Sequence, residues 1–238
     1  MQSIQTLQRN YQKVLDRIEQ AKLQAARQDE VQLLAVSKTK PHWMIEVLAQ
    51  MGQMHFGENY VQEALGKIQA LQPQYPQLQW HFIGPIQSNK TKHLAQHFHW
   101  VHSLERLKIA QRLSTQRPEH LPPLQVLIEV NISQEVSKSG VHPAAVLPLA
   151  QQILSLPRLQ LRGLMCIPQK AQQLTKQRQP FHAMNQLLKQ LQRQLKIDFP
   201  EVQLDTLSMG MSVDLEAAIL EGATLVRIGT DIFGARTT

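Results

Sequence analysis

The chain has 238 residues, 42% of them hydrophobic, a formal net charge of +7 and a single cysteine, Cys166. That length holds one large core, and one cysteine excludes both an intrachain disulfide and a cysteine-rich zinc site. Aromatics are only 5% and the basic residues are dispersed. The interleaved stripe that grips single strands is missing, so nucleic acid is not an expected partner and the charge is assigned to solubility or attraction of small anions.

The opening helix is expected over residues 2–28, where Ile4, Leu7, Tyr11, Val14, Leu15 and Ile18 recur at helical spacing. Its scattered charges are unlike a signal peptide. No stretch is long enough to span a bilayer, so no membrane partner is expected and the cytoplasm is the expected location. Strand one is placed at 31–37, and a helix follows Pro41, which suits a first-turn position. Strand two lies around 54–56, with a helix opening at 58–60 and running to about Leu71. Strand three is 80–84, strand four 100–103 and strand five 124–131. A helix starts at Pro143 and ends near Ser155, followed by strand six at 161–166 and a glutamine-rich helix over 172–196. Strand seven is 202–207, the next helix 212–221, and strand eight 225–228.

Eight continuous apolar strands separated by helices predict an α/β fold, a parallel (β/α)8 TIM barrel with an extra N-terminal helix. A doubly wound open sheet is the rival. No linker or internal repeat is visible, so residues 1–238 are expected as one domain.

In the barrel reading the notable polar residues fall at the C-terminal strand ends, where barrels place their sites. Lys38 follows strand one, between Ser37 and Thr39; partial burial near other cations would make it a nucleophile toward carbonyls. A solvated flank is the competing reading, and Lys40 is the competing amine. Two strands end in small residues, at Ser208-Met209-Gly210-Met211-Ser212 and at Gly229-Thr230. Backbone N–H groups at such turns nest a phosphate. A lysine for an aldehyde and a nest for a phosphate together suggest a pyridoxal phosphate site. Arg227, between Val226 and Ile228, needs a buried acceptor: a carboxylate such as Glu129 or Asp205, or a cofactor. Ser208 and Ser212 are candidates for a helix cap as well as for a ligand. His81 either touches a ligand or fills the barrel. His93, His97, His99 and His102 lack a carboxylate at metal-site spacing, so no metal is expected. Cys166 reads as a small buried hydrophobe.

Six segments in order carry a resemblance: AVSKTK (35–40), FGENYVQE (56–63), HFIGPIQSNK (81–90), RGLM (162–165), LSMGMSVD (207–214) and VRIGTDIFG (226–234). Together they resemble the YggS/PROSC family of pyridoxal phosphate homeostasis proteins. The resemblance implies a barrel like the alanine racemase N-terminal domain. It implies pyridoxal 5'-phosphate as cofactor, with Lys38 forming the Schiff base and Arg227 facing the pyridine nitrogen. Ser208, Gly229 and Thr230 would hold the phosphate with the Met209-Gly210 turn. Asn59 and His81 would lie near the cofactor, and Met165 would line the site. Many members have Leu in place of Ile86 and commonly Ala in place of Asp231. The family is regarded as a carrier that buffers vitamin B6 and, indirectly, amino- and keto-acid pools. An arginine at the pyridine nitrogen weakens the ring as an electron sink, and no tyrosine follows the barrel to act as a second base. The expectation is therefore a non-catalytic monomer whose partners are the cofactor and apo-enzymes that use it; a weak amino-acid racemase is the alternative.

Overall fold

The computed structural model describes residues 3–135 and 138–235. Eight parallel strands close into a barrel in sequence order: β1 (Gln32–Val36), β2 (His55–Glu58), β3 (Gln79–Phe82), β4 (Trp100–Leu104), β5 (Leu124–Glu129), β6 (Leu159–Met165), β7 (Thr206–Ser208) and β8 (Leu225–Ile228). The seam is β8 against β1, with Leu34 opposite Arg227 and Ala35 opposite Ile228. This closure removes the open-sheet alternative. The strands are nearly all buried, as expected when side chains fill one face and helices cover the other.

The helices are α1 (Ile4–Gln24), α2 (His42–Gln50), α3 (Val61–Leu71), α4 (Thr91–His97), α5 (Leu107–Gln116), α6 (Val146–Leu154), α7 (Leu174–Leu195), α8 (Leu215–Leu220) and α9 (Thr230–Phe233). In a complete barrel a full helix follows β8. Here α9 has one turn, and α1 takes its place: it packs on α2, α8 and α9. Ser3 caps α1 by accepting from Thr6 N at 3.1 Å, and Leu7, Tyr11, Val14, Ile18 and Ala21 form its buried stripe. The expected start at residue 2 lies outside the described residues.

Two strands end or begin elsewhere than their apolar runs suggest. β5 stops at Glu129: Val130 N still donates to Met165 O of β6 at 2.8 Å, but Val130 then bridges Val141, and Asn131 N donates to Val141 O at 3.0 Å. β7 begins only at Thr206, opposite Gly163. Leu204 O is taken at 2.6 Å by Gln192 Nε2 of α7 instead of by the ladder. Among the described residues no helix is long and apolar enough to cross a membrane.

Candidate functional site

The mouth of the barrel gathers the segments after β1, β2, β7 and β8. On the β1 side, Ser37 is fully buried and its Oγ donates to Glu58 Oε1 at 2.6 Å. Lys67, a cation on the buried face of α3, donates to Ser37 O and to Glu58 Oε1, both at 2.7 Å, and also to Glu63. Glu63 Oε1 accepts from Thr39 N at 2.6 Å, and Thr39 sits in the left-handed region at φ 62°. The residues on either side of Lys38 are thus anchored to one ion cluster. Ser37 faces that cluster, and Lys38 itself is half-buried in the turn that follows β1. Lys40 Nζ donates to Ala235 O at 2.9 Å, which commits the competing amine to the C-terminal segment. Burial raises the Glu58 carboxyl above its ordinary range, opposed by Lys67 and Ser37.

Next to it, Asn59 carries a buried Oδ1 with no hydrogen-bond partner. A buried acceptor without a donor costs about 1–3 kcal/mol and marks a place for one.

The loops after β7 and β8 are shaped by glycine. Gly210 has φ +93°, and a Cβ there would lie 2.5 Å from Ala218 Cβ. Its carbonyl accepts from Arg227 N at 3.0 Å, which ties the loop after β7 to β8. Gly229 precedes α9, and a Cβ there would stand 3.2 Å from Val36 O. The backbone after β8 is therefore pressed against the end of β1, just before Lys38. Thr230 opens α9 and is exposed, whereas Met209 is buried in the outer core. Asp214, not Ser212, occupies the N-cap position of α8 and accepts from Met211 N at 2.6 Å. Ser212 stays half-buried at the loop surface.

Arg227 lies beneath this mouth, 4% exposed. Its Nη1 donates to Ser208 O at 2.7 Å and to Ser208 Oγ at 2.8 Å, and its Nη2 to Cys166 O at 3.0 Å. Neither carboxylate considered from the sequence is bonded to it. Asp205 pairs with Arg162, and Glu129 acts on Arg227 only through its field. Burial, reinforced by Glu105 and opposed by Arg227, pushes the Glu129 carboxyl up to about 7. Burial also pushes the Cys166 thiol up to about 12, far from a reactive thiolate at neutral pH.

Three expected ligand residues sit deeper than the mouth. Ser208 is fully buried, with its hydroxyl between Arg227 and His102, whose Nδ1 is at 2.9 Å. It faces inward at the end of β7, where it accepts from Arg227. His81 is fully buried in the barrel, stacked on Trp100 at 5.3 Å. Met165 is likewise fully buried, against Trp100 and Leu127. Residues overlooked in the sequence are His55, whose Nδ1 is 2.9 Å from His81 Nε2, Arg17, which pairs with Glu216 and Asp231, and Lys67. Lys67 was detectable as a lysine on the apolar stripe of α3, with Val61, Ala64, Ile68 and Leu71. Among the described residues no cluster of three or more His, Cys, Asp or Glu could hold a metal ion.

The family profile of the alanine racemase N-terminal domain matches residues 3–237. The pyridoxal phosphate homeostasis protein of Pasteurella multocida is 52% identical over 232 residues, covering 97% of this chain and 98% of the relative. The structure of PipY from Synechococcus elongatus with PLP bound superposes with a TM-score of 0.78 at 36% identity, covering 92% of this chain and all of PipY. An alanine racemase of Clostridium difficile shares the fold, with a TM-score of 0.68 at 13% identity; 98% of this chain matches 57% of that one.

Proposed function

The chain belongs to the pyridoxal phosphate homeostasis protein family, on the alanine racemase N-terminal domain fold, and from that premise we propose that it binds pyridoxal 5'-phosphate, holds it on Lys38 and buffers or delivers it. When bound, the cofactor supplies an aldehyde that condenses reversibly with an amine. The observation that carries the reading is the closure of β8 onto β1, which sets Gly229 against Val36 and so brings a glycine-built anion nest beside Lys38.

The residues fit such a ligand. The backbone N–H groups of Gly229 and Thr230, at the start of α9, would face a phosphate, with the Met209-Gly210 turn opposite. Ser212, at the surface of that turn, is the serine placed to join them. Arg227 supplies only donors, so it suits an unprotonated ring nitrogen. Asn59 places its orphaned acceptor at the mouth. His81 and Met165 shape the floor from below.

The same arrangement disfavours turnover. Arg227 gives no proton to the ring, which keeps the ring a poor electron sink. A two-base racemisation needs a proton donor on each face of the substrate carbon, and Lys38 supplies one face only. We read the protein as a monomeric carrier for apo-enzymes, without catalysis of its own. The test is direct. The loaded protein is mixed with an apo-enzyme that requires the cofactor, and separately with amino acids in deuterated water. Reactivation of the apo-enzyme without α-deuteration supports the carrier. Sustained α-deuteration that is lost in a Tyr60→Phe variant, exposed Tyr60 being beside Asn59 at the mouth, would establish a racemase instead.

A further inference from the structure

Barrels of this kind fill their interior with branched apolar side chains. This one contains a line of polar groups. The amide of Gln32, at the bottom of β1, stands 2.8 Å from His55 Nε2. His55 Nδ1 is 2.9 Å from His81 Nε2, His81 Nδ1 is 2.9 Å from His102 Nε2, and His102 Nδ1 is 2.9 Å from Ser208 Oγ. The line begins at half-buried Gln32 and His55, crosses the barrel through two fully buried imidazoles and ends on the serine that accepts from Arg227. Trp100 covers it, stacked 7° from parallel on His81.

We propose that Gln32, His55, His81, His102 and Ser208 form one hydrogen-bonded line of fixed sense that positions Arg227 from beneath the barrel mouth.

The sense follows from counting donors. A guanidinium has no acceptor, so Ser208 Oγ must accept from Arg227 Nη1. The Ser208 hydrogen then goes to its other neighbour, His102 Nδ1. His102 therefore carries its own hydrogen on Nε2 and donates to His81 Nδ1. His81 donates through Nε2 to His55 Nδ1, and His55 donates through Nε2 to Gln32. The Gln32 amide nitrogen stands at that joint; the count requires a half-turn of the amide so that Oε1 accepts. All three imidazoles are neutral, because a charged one would set two hydrogens face to face at one of its joints. Burial agrees: it lowers the His81 and His102 imidazoles well below their ordinary range and His55 to about 4.

In the reverse sense Ser208 Oγ would accept from both Arg227 and His102, and its buried hydrogen would lack an acceptor among these two neighbours; the proposed sense gives that hydrogen to His102. A half-satisfied buried network is costly. The hydroxyl orientation of Ser208, and with it the seat of the Arg227 guanidinium, is thereby set by groups as far away as the bottom of β1. These are positioning residues. The sense of the line stands on its own, whereas its effect on the cofactor rests on the reading of Arg227 above.

The test uses full-length protein without cofactor, labelled with 15N at histidine and arginine, at neutral pH. The expected spectrum has His55, His81 and His102 neutral, each with hydrogen on Nε2 and an accepting Nδ1. Hydrogen on Nδ1 at any of the three, or a charged ring, overturns the proposal. Ser208→Ala removes one oxygen and should leave the barrel folded. In it the His102 Nδ1 resonance should move, with smaller moves at His81 and His55. Exchange of the Arg227 guanidinium hydrogens should quicken about tenfold, the equivalent of one lost hydrogen bond. Moves that stop at His102, or unchanged exchange at Arg227, would refute the positioning role. If both appear but the visible spectrum of loaded S208A matches the parent, the line stands and Arg227 does not face the ring.

Discussion

Arg17 and Asp231 are 214 positions apart in sequence and form an ion pair at the barrel mouth. The same guanidinium donates through Nε to Glu216 Oε1 at 2.7 Å and through Nη2 to Ser212 O at 3.0 Å. One side chain of α1 thus ties α8 and the loop before it to α9, beside the proposed anion nest. Asp231, where the resembling family commonly has Ala, is one of its anchors.

Replacing Arg17 with Met should therefore loosen the nest. The pair is about one-third exposed, so solvent screening limits its stability contribution to about 1 kcal/mol. The larger effect should be on ligand affinity, a loss of about three- to tenfold by fluorescence titration, the size of one misplaced hydrogen bond. Asp231→Ala should show a smaller loss in the same direction.

Lys67 carries a heavier structural load. It is 7% exposed and neutralises Glu58, which is fully buried. Lys67→Met leaves that carboxyl without its cation, and breaking a buried pair from one side costs about 3–5 kcal/mol. Urea denaturation should show this loss. The double variant Lys67→Met with Glu58→Gln should recover part of it. A single variant as stable as the parent would mean that Lys67 does not hold the Lys38 shoulder.

Glu129 gives a pH signature. Its folded value of about 7 lies above the ordinary 4.5, so between those values the folded chain keeps a proton that the unfolded chain has released. Stability therefore falls as pH rises from about 4.5 through about 7 and is level above. Glu129→Gln lacks this loss. Relative to the parent it should gain on the order of 1–3 kcal/mol between about pH 5 and pH 8. An unchanged gap across that range would place Glu129 in water.

Much of this architecture is legible in the chain. β8 forms over the residues its apolar run suggests, and the stripe from Leu7 to Ile18 gives α1. Strand ends are less legible where a side chain competes for the ladder, as Gln192 does at Leu204. The mouth could be read because Lys38, Gly210 and Gly229 each end a strand, and strand ends share one face of a barrel. Its floor could not. His55, His81 and His102 meet only through the stagger of neighbouring strands, which no local pattern contains. For the same reason the bonds of Ser208, which ends β7, to His102 and Arg227 could not be read from the chain.

Lys38 is the residue proposed to hold the cofactor. Purified protein loaded with pyridoxal 5'-phosphate, reduced with borohydride and digested, should yield a pyridoxyl group on the peptide carrying Lys38, and Lys38→Ala should lose it while retaining weak phosphate-dependent binding. Modification of Lys40 or Lys67 at full occupancy, with Lys38→Ala labelled as well as the parent, would contradict the account.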